Sequence, residues 1–362
     1  MRIGIVGAGQ LGRMMALSGI PLGFEFTMYD TRPDVPGAAV ADIVTGAFDD
    51  RKKLARFARG VDVVTFDWEN VPVAAARAIA AIRPVWPPPR ALEVAQDRVS
   101  EKRLFRRLGI PVAPFAAVDT AADLTRAIDS LGAPGILKTR RLGYDGKGQV
   151  RIRRAREAAQ AFEQLAGQPL VYERFVNFSR EVSLIAARDR AGAIRHYPLA
   201  ENEHSAGILA LTRAPYVNAG LQRRAERNHR RLMSALGYVG VLCVEYFVER
   251  GRLVANEMAP RVHNSGHWTI EGAETSQFEN HVRAIAGLPL GATTPRGHAA
   301  MLNLIGKMPR ARESLALPGL HWHDYGKSER PGRKLGHVTL VTGSRAARDR
   351  AARQLRRRLI PQ

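Results

Sequence analysis

VGVLCVEYFVERGRLVANEMAP, residues 239–260, consists of two apolar runs separated by a turn, with Glu245 in the first run and Glu257 in the second. β-Branched and aromatic residues favour strands, and Arg250-Gly251-Arg252 supplies a glycine turn between them. A hairpin closed by those three residues sets Glu245 and Glu257, equidistant from Gly251, directly opposite each other on one face. Like charges so placed repel. A divalent cation resolves the conflict, because Mg²⁺ takes one or two carboxylates together with nucleotide phosphates; a buried salt bridge to arginine is the alternative. A one-residue slip of register would part the pair.

Upstream, LKTRRLGYDGKGQV at 137–150 places Lys138 at the end of an apolar run and glycines at 143, 146 and 148. Such a loop can fold its backbone N–H groups over a polyphosphate while Lys138 and Lys147 neutralise it. An ordinary hairpin turn is the simpler reading of that segment alone. Between 135 and 290, hairpins with glycine turns and two helices, AREAAQAFEQLAG and AGLQRRAERNHRRLMSALG, predict an α+β domain. The first hundred residues alternate strand and helix patterns and predict an α/β unit with a parallel sheet. Its Gly7-Ala8-Gly9-Gln10-Leu11-Gly12 turn, with Asp30 ending the next strand, satisfies the dinucleotide fingerprint, yet any anion can use such a turn. PVWPPPRAL at 84–92 predicts an irregular domain edge.

Composition narrows the choices. The 362 residues suit two or three domains, and 45% apolar content is enough for real cores. No apolar run reaches the roughly eighteen residues of a membrane helix, and the N-terminus lacks a signal-peptide pattern, so a cytoplasmic protein without a membrane partner is expected. The one cysteine, Cys243, lies in a strand pattern and reads as a buried thiol. The formal charge of +21 invites a nucleic-acid partner. The arginines are nevertheless spread over nearly every helix pattern, and the densest run, SRAARDRAARQLRRRL, reads as a solvated terminal helix, so none is expected.

A strand lysine, a polyphosphate loop and paired glutamates, without a Walker or kinase motif, resemble the ATP-grasp superfamily, whose members join a carboxylate to an amine through an acyl phosphate. Within it, GAGQLGRM at 7–14, ENVP at 69–72, QDR with EK at 96–102, YPLAENEHSAGIL at 197–209, the block at 256–291 containing HNSGHWTIEG, MLNLIG at 301–306 and YGKSERPGRKLGHVTL at 325–340 resemble the 5-(carboxyamino)imidazole ribonucleotide synthases. The resemblance runs in order along nearly the whole chain. It implies an ATP-grasp fold with an N-terminal Rossmann-like domain (1–97), an ATP-grasp domain (98–300, lid lobe about 110–175) and a small β-rich C-terminal domain (301–362). It further implies carboxylation of 5-aminoimidazole ribonucleotide by bicarbonate with ATP and Mg²⁺ in purine biosynthesis, and a homodimer.

The residue roles follow from that resemblance. Arg98 and Lys138 would hold ATP phosphates under the loop Gly143, Tyr144, Asp145, Gly146, Lys147, Gly148 and Gln149. Glu173, Arg174, Phe175 and Val176 would form the adenine-reading hinge, with Glu181 at the ribose and His204 in the nucleotide segment. Glu245 and Glu257 would carry the metal, assisted by Asn256. Tyr144, Asp145, Arg261, His263 and Asn264 would surround bicarbonate, carboxyphosphate and the amine, with Arg261 as a two-pronged anion clamp. Gln10, Leu11, Glu69, Asn70, Lys327, Arg333 and Lys334 would bind the ribonucleotide, the three cations at its 5′-phosphate. His267, His281 and His337 read as structural. Where the family pattern is close to TYEFENV, this chain has TFDWENV at 65–71, which puts a substrate contact through Asp67 in doubt. A formate-dependent glycinamide ribonucleotide transformylase would share the ATP residues. A dehydrogenase would leave 137–291 unexplained.

Overall fold

The computed structural model describes residues 1–143, 146–165 and 167–359. The N-terminal α/β unit is a four-stranded parallel sheet in the order Asp42–Thr45, Glu25–Asp30, Arg2–Val6, Val63–Phe66. Its first strand turns through Gly7 (φ +88°) into helix Gln10–Gly19, as the glycine spacing predicts. The predicted irregular edge at 84–92 is corrected: helix Pro89–Ala95 begins there. A proline in the first helical turn has no N–H that the helix would use, so the prolines start this helix instead of forbidding it.

Strands Phe115–Val118, Leu170–Arg174, Gly135–Thr139 and Gln149–Ile152 form an antiparallel sheet in that spatial order. Helices Ala121–Leu131 and Ala158–Gln164 cover one face, with Leu124, Ile128, Leu137 and Tyr172 in the core between. Strand alternation sends Leu137 into that core and leaves its neighbour Lys138 to the other face.

The largest sheet has nine strands. It runs from hairpin Arg252–Ala259 and Gly240–Glu249 through Arg180–Arg188, Ala200–Ser205 and Ile208–Ala214 into His298–Ile305, Lys334–Thr342 and Leu320–Asp324, and the ninth strand, Ile194–His196, pairs beside this path with Arg180–Arg188. The C-terminal strands therefore extend the central sheet. Cys243 is fully buried in it, as expected. The terminal helix Arg345–Leu359 is not merely solvated: Ala352, Leu355 and Leu359 pack with Leu302, Leu304 and Val338 while most of its arginines face outward. An Ala/Leu stripe hidden among arginines supplies that apolar face. Among the described residues no helix is long and apolar enough to cross a membrane.

Candidate active site

The hairpin bears out the pairing of Glu245 with Glu257 but corrects its cause. The turn holds two residues, Arg250 (φ +48°) and Gly251 (φ +71°), with Glu249 opposite Arg252. From there to Tyr246 opposite Ala255 the register is that of a two-residue turn, which alone would set Glu245 against Asn256. A β-bulge shifts the register between Glu245 and Tyr246, so Asn256 is extra and Glu245 meets Glu257. An inserted residue turns every following side chain to the opposite face, so the bulge is what aligns the two carboxylates.

The pair is strongly polarised. Burial and the carboxylate of Glu257 push Glu245 up, whereas for Glu257 the Arg98 guanidinium, 2.7 Å away, outweighs burial and holds it below its usual range. Arg98 also donates to the Gly143 carbonyl at 3.2 Å, tying the carboxylate to the glycine loop. Within that loop Gly146 (φ +75°) comes so close to the turn at Ala206-Gly207 that a Cβ would stand 3.1 Å from the Gly207 Cα. Gly148 lies equally tight on Thr139, and Lys147 is exposed. Tyr144 and Asp145 lie outside the described residues.

Behind the loop, the Lys138 ammonium donates to Glu173 at 3.1 Å, and Lys102 reaches the same carboxylate oxygen at the same distance. Burial would raise Glu173, but the two lysines and Arg98 hold it at about 2. Lys102 and Glu101, the buried EK of the QDR segment, carry no role in the sequence reading. Their helical spacing from Arg98, three and four residues, is the signal that could have found them. In the hinge, the Arg174 and Phe175 N–H groups already donate to the Pro114 and Pro134 carbonyls, Arg151 stacks on the Phe175 ring, and Val176 is buried. Glu181 contacts His204 at 2.9 Å; burial disfavours the imidazolium, but Glu181 and the field of Glu245 outweigh it and raise His204.

Arg261 donates through Nε to Glu69 and through Nη1 to the Val262 carbonyl, so the expected two-pronged clamp is half engaged internally. Burial would raise Glu69, but Arg261 holds it low. His263 is kept neutral by burial and by Arg261 and Lys334, and its Nε2 stands 3.5 Å from Glu245. Asn264 exchanges reciprocal amide bonds with Asn303, at 3.0 and 2.6 Å.

Lys327 donates to the side-chain oxygen of Gln10, 317 residues away in sequence. Arg333 folds onto Ser328, and the charge of Lys334 reaches Glu69, Glu245 and His263. Asn70 is half-buried, and the Leu11 side chain belongs to the core. The glycine turn is already filled: Asp67 accepts from the Gly9 and Gly12 N–H groups, and Asp30 accepts from Ala8 at 2.9 Å. A helix N-terminus attracts anions, and here the chain's own carboxylates occupy it, which removes the dinucleotide reading. It also accounts for Asp67, whose carboxylate is spent on the helix.

The chain is similar along its length to one family of ligases. A ribonucleotide synthetase preATP-grasp domain family matches residues 1–96, an ATP-grasp domain family 103–278, and the phosphoribosylaminoimidazole carboxylase C-terminal domain family 299–351. N5-carboxyaminoimidazole ribonucleotide synthase of Pseudomonas aeruginosa is 48% identical over 346 residues, covering 96% of each chain. The crystal structure of the N5-carboxyaminoimidazole ribonucleotide synthetase of Thermus thermophilus is 50% identical, with a TM-score of 0.95 over 99% of both chains. That of N5-carboxyaminoimidazole synthase from Aspergillus clavatus, in complex with ADP and 5-aminoimidazole ribonucleotide, is 30% identical, with a TM-score of 0.90 over 98% of this chain and 97% of that one.

Proposed function

Because the chain belongs to the N5-carboxyaminoimidazole ribonucleotide synthase family, we propose that it carboxylates 5-aminoimidazole ribonucleotide with bicarbonate at the expense of ATP. The products are N5-carboxyaminoimidazole ribonucleotide, ADP and phosphate, and the step belongs to purine synthesis. The observation that carries this reading is the meeting of two sets of groups, close enough for the charge of Glu69 to act on Glu257 and that of Lys334 on Glu245. Arg98, Lys138 and Glu257 form one, suited to a nucleoside triphosphate; Gln10, Glu69, Lys327 and Lys334 form the other, suited to an anionic ribonucleotide.

A bicarbonate oxygen bonds to the γ-phosphorus as the bond to the ADP oxygen breaks, giving carboxyphosphate. The exocyclic amine then bonds to the carboxyl carbon, phosphate departs with the electrons of the C–O bond, and the nitrogen sheds a proton. Arg98 and Lys138 hold the phosphates, with Lys147 and the glycines at 143, 146 and 148 beside them, which spares the transferring group from water. The Phe175 carbonyl and Val176 N–H face adenine, and Glu181 and His204 lie toward its ribose. Nη2 of Arg261 meets the carboxylate of bicarbonate, neutral His263, whose Nδ1 accepts the Ser265 N–H, presents Nε2–H beside it as a donor, and the proton leaving the amine passes to the departing phosphate. Asn264 stands beside them; a role there for Tyr144 and Asp145, which lie outside the described residues, rests on the family resemblance. Lys327, Arg333 and Lys334 meet the 5′-phosphate, while Gln10, the Leu11 backbone, Glu69 and Asn70 border the ring and ribose.

The residues fit Mg²⁺. Two half-buried carboxylates face each other, and beside them the buried Oδ1 of Asn256 has no hydrogen-bond partner, so three hard-oxygen groups are available. Glu245, Glu257 and Asn256 would hold the ion, which when bound neutralises phosphate charge. Division into parts at about 97 and 300, a homodimeric state and a cytoplasmic setting, in keeping with the single unpaired thiol, belong to the same proposal.

The test is phosphate release from MgATP by the purified protein, with and without the ribonucleotide and bicarbonate. Release that requires the aminoimidazole ribonucleotide, with carbamate formation that requires bicarbonate, is expected. Release stimulated by glycinamide ribonucleotide and formate would keep the ATP site and move the activity to the sister ligase.

A further inference from the structure

Helix Arg98–Arg107 does more than deliver Arg98. Arg98, Glu101 and Lys102 stand three and four residues apart, hence on one helical face, and all three reach the same short piece of strand. Arg98 bonds Glu257 at 2.7 Å, Lys102 donates to the backbone carbonyl of Asn256 at 3.1 Å, and Glu101 accepts the backbone N–H of Met258 at 2.6 Å. Asn256 is the extra residue of the β-bulge. A bulge leaves backbone groups without ladder partners, and buried groups of that kind are costly unless another partner is supplied. Here two adjacent side chains supply partners on either side of Glu257. Glu101 is 1% and Lys102 0% exposed, and burying ionisable residues is unfavourable without partners of this kind, of which Lys102 has a second in Glu173.

We propose that Glu101 and Lys102 are positioning residues that hold the Asn256 bulge and thereby keep Glu257 opposite Glu245. This rests on the reading of those two glutamates as the Mg²⁺ ligands. Without the clamp the hairpin relaxes toward the register of its two-residue turn, in which Glu245 faces Asn256 and Glu257 moves to the other face. Lys102 also bonds Glu173, the partner of Lys138, so the same ammonium couples the metal hairpin to the phosphate-binding lysine of the lid lobe.

The test measures turnover against free Mg²⁺ at saturating ATP for Glu101→Leu, Glu101→Gln and Lys102→Met. Leaving the buried Met258 N–H without its acceptor is expected to raise the half-saturating Mg²⁺ about tenfold in Glu101→Leu. Glu101→Gln retains an acceptor for the Met258 N–H and should stay within about threefold of the parent. The KM for the ribonucleotide should not move in either, a split that general loosening of the fold would not give. Glu257→Gln, run in parallel, separates the two claims. If Glu257→Gln shifts the Mg²⁺ requirement and Glu101→Leu does not, the clamp is refuted; if Glu257→Gln leaves it unchanged, the metal reading fails and the clamp with it. Should Glu101→Leu not fold, Lys102→Met reads the other end of the bulge. In the unaltered enzyme, hydrogen exchange at Met258 should be as slow as in strand 240–249, and rapid exchange there would overturn the proposal.

Discussion

Replacing Asp67 by alanine removes the carboxylate that accepts two of the N–H groups of the glycine turn. Its carboxylate accepts the N–H groups of Gly9 and Gly12, spanning the start of helix Gln10–Gly19, and is itself 8% exposed. A buried donor left unpaired costs about 1–3 kcal/mol, so two cost about 2–6 kcal/mol. Loss of a negative charge at a helix N-terminus adds roughly 0.5–1 kcal/mol. Against this, burial raises the Asp67 carboxyl despite its two backbone bonds, so relief of the buried charge returns part of the cost. A net local penalty of about 2–4 kcal/mol remains, which converts to roughly 30- to 700-fold faster opening. Because a multi-domain chain need not unfold in one step, hydrogen exchange over residues 7–15 is the proper assay. Gln10 lies in the loosened turn, so the KM for the ribonucleotide should rise while that for ATP stays level. Unchanged exchange at the Gly9 and Gly12 amides in Asp67→Ala would refute the reasoning.

Burial holds Lys327 at about 8, Asp67 opposing the shift only in part, so kcat/KM for the ribonucleotide should fall above about pH 8 as the ammonium loses its proton. Lys327→Met should lower kcat/KM about tenfold or more and flatten that limb, and an equal effect on the KM for ATP would remove Lys327 from the ribonucleotide site. His229 and His281 are buried and held at about 3, below their ordinary 6.5. The unfolded chain therefore takes up protons that the folded chain refuses, so their contribution is complete above pH 6.5 and is lost as pH falls toward 3. Between pH 7 and 5 that loss is about 2 kcal/mol per histidine, to be read from urea midpoints. His281 accepts the Val241 N–H at Nδ1 and meets Thr65 at Nε2, and a variant lacking this imidazole should show a shallower acid slope.

Much of this was legible in the sequence. Strand-to-helix turns, glycine loops and the apolar alternation of 239–260 are local signals, and the ATP-grasp fold class they supported is borne out by the matching families. The bulge at Asn256 was not, because a two-residue turn with a bulge and a three-residue turn set the same two glutamates opposite each other. Nor could the sequence reveal that Asp67 fills the glycine turn, since 55 and 58 residues separate the bonded partners. The fingerprint specifies a cradle and not its tenant. The run 84–92 misled because a proline that ends one helix can begin another. Glu101 and Lys102 sit in an ordinary amphipathic pattern, in which their spacing from Arg98 is the one hint that these side chains point inward.

The most direct measurement follows oxygen. Bicarbonate labelled with ¹⁸O, turned over with ATP and the aminoimidazole ribonucleotide in a time short against exchange with water, should deliver one labelled oxygen to each phosphate released, because the attacking bicarbonate oxygen stays on phosphorus when the carboxyl group is transferred. Phosphate without label, at a full yield of carbamate, would contradict carboxyphosphate as the species formed between Arg98, Lys138 and Arg261.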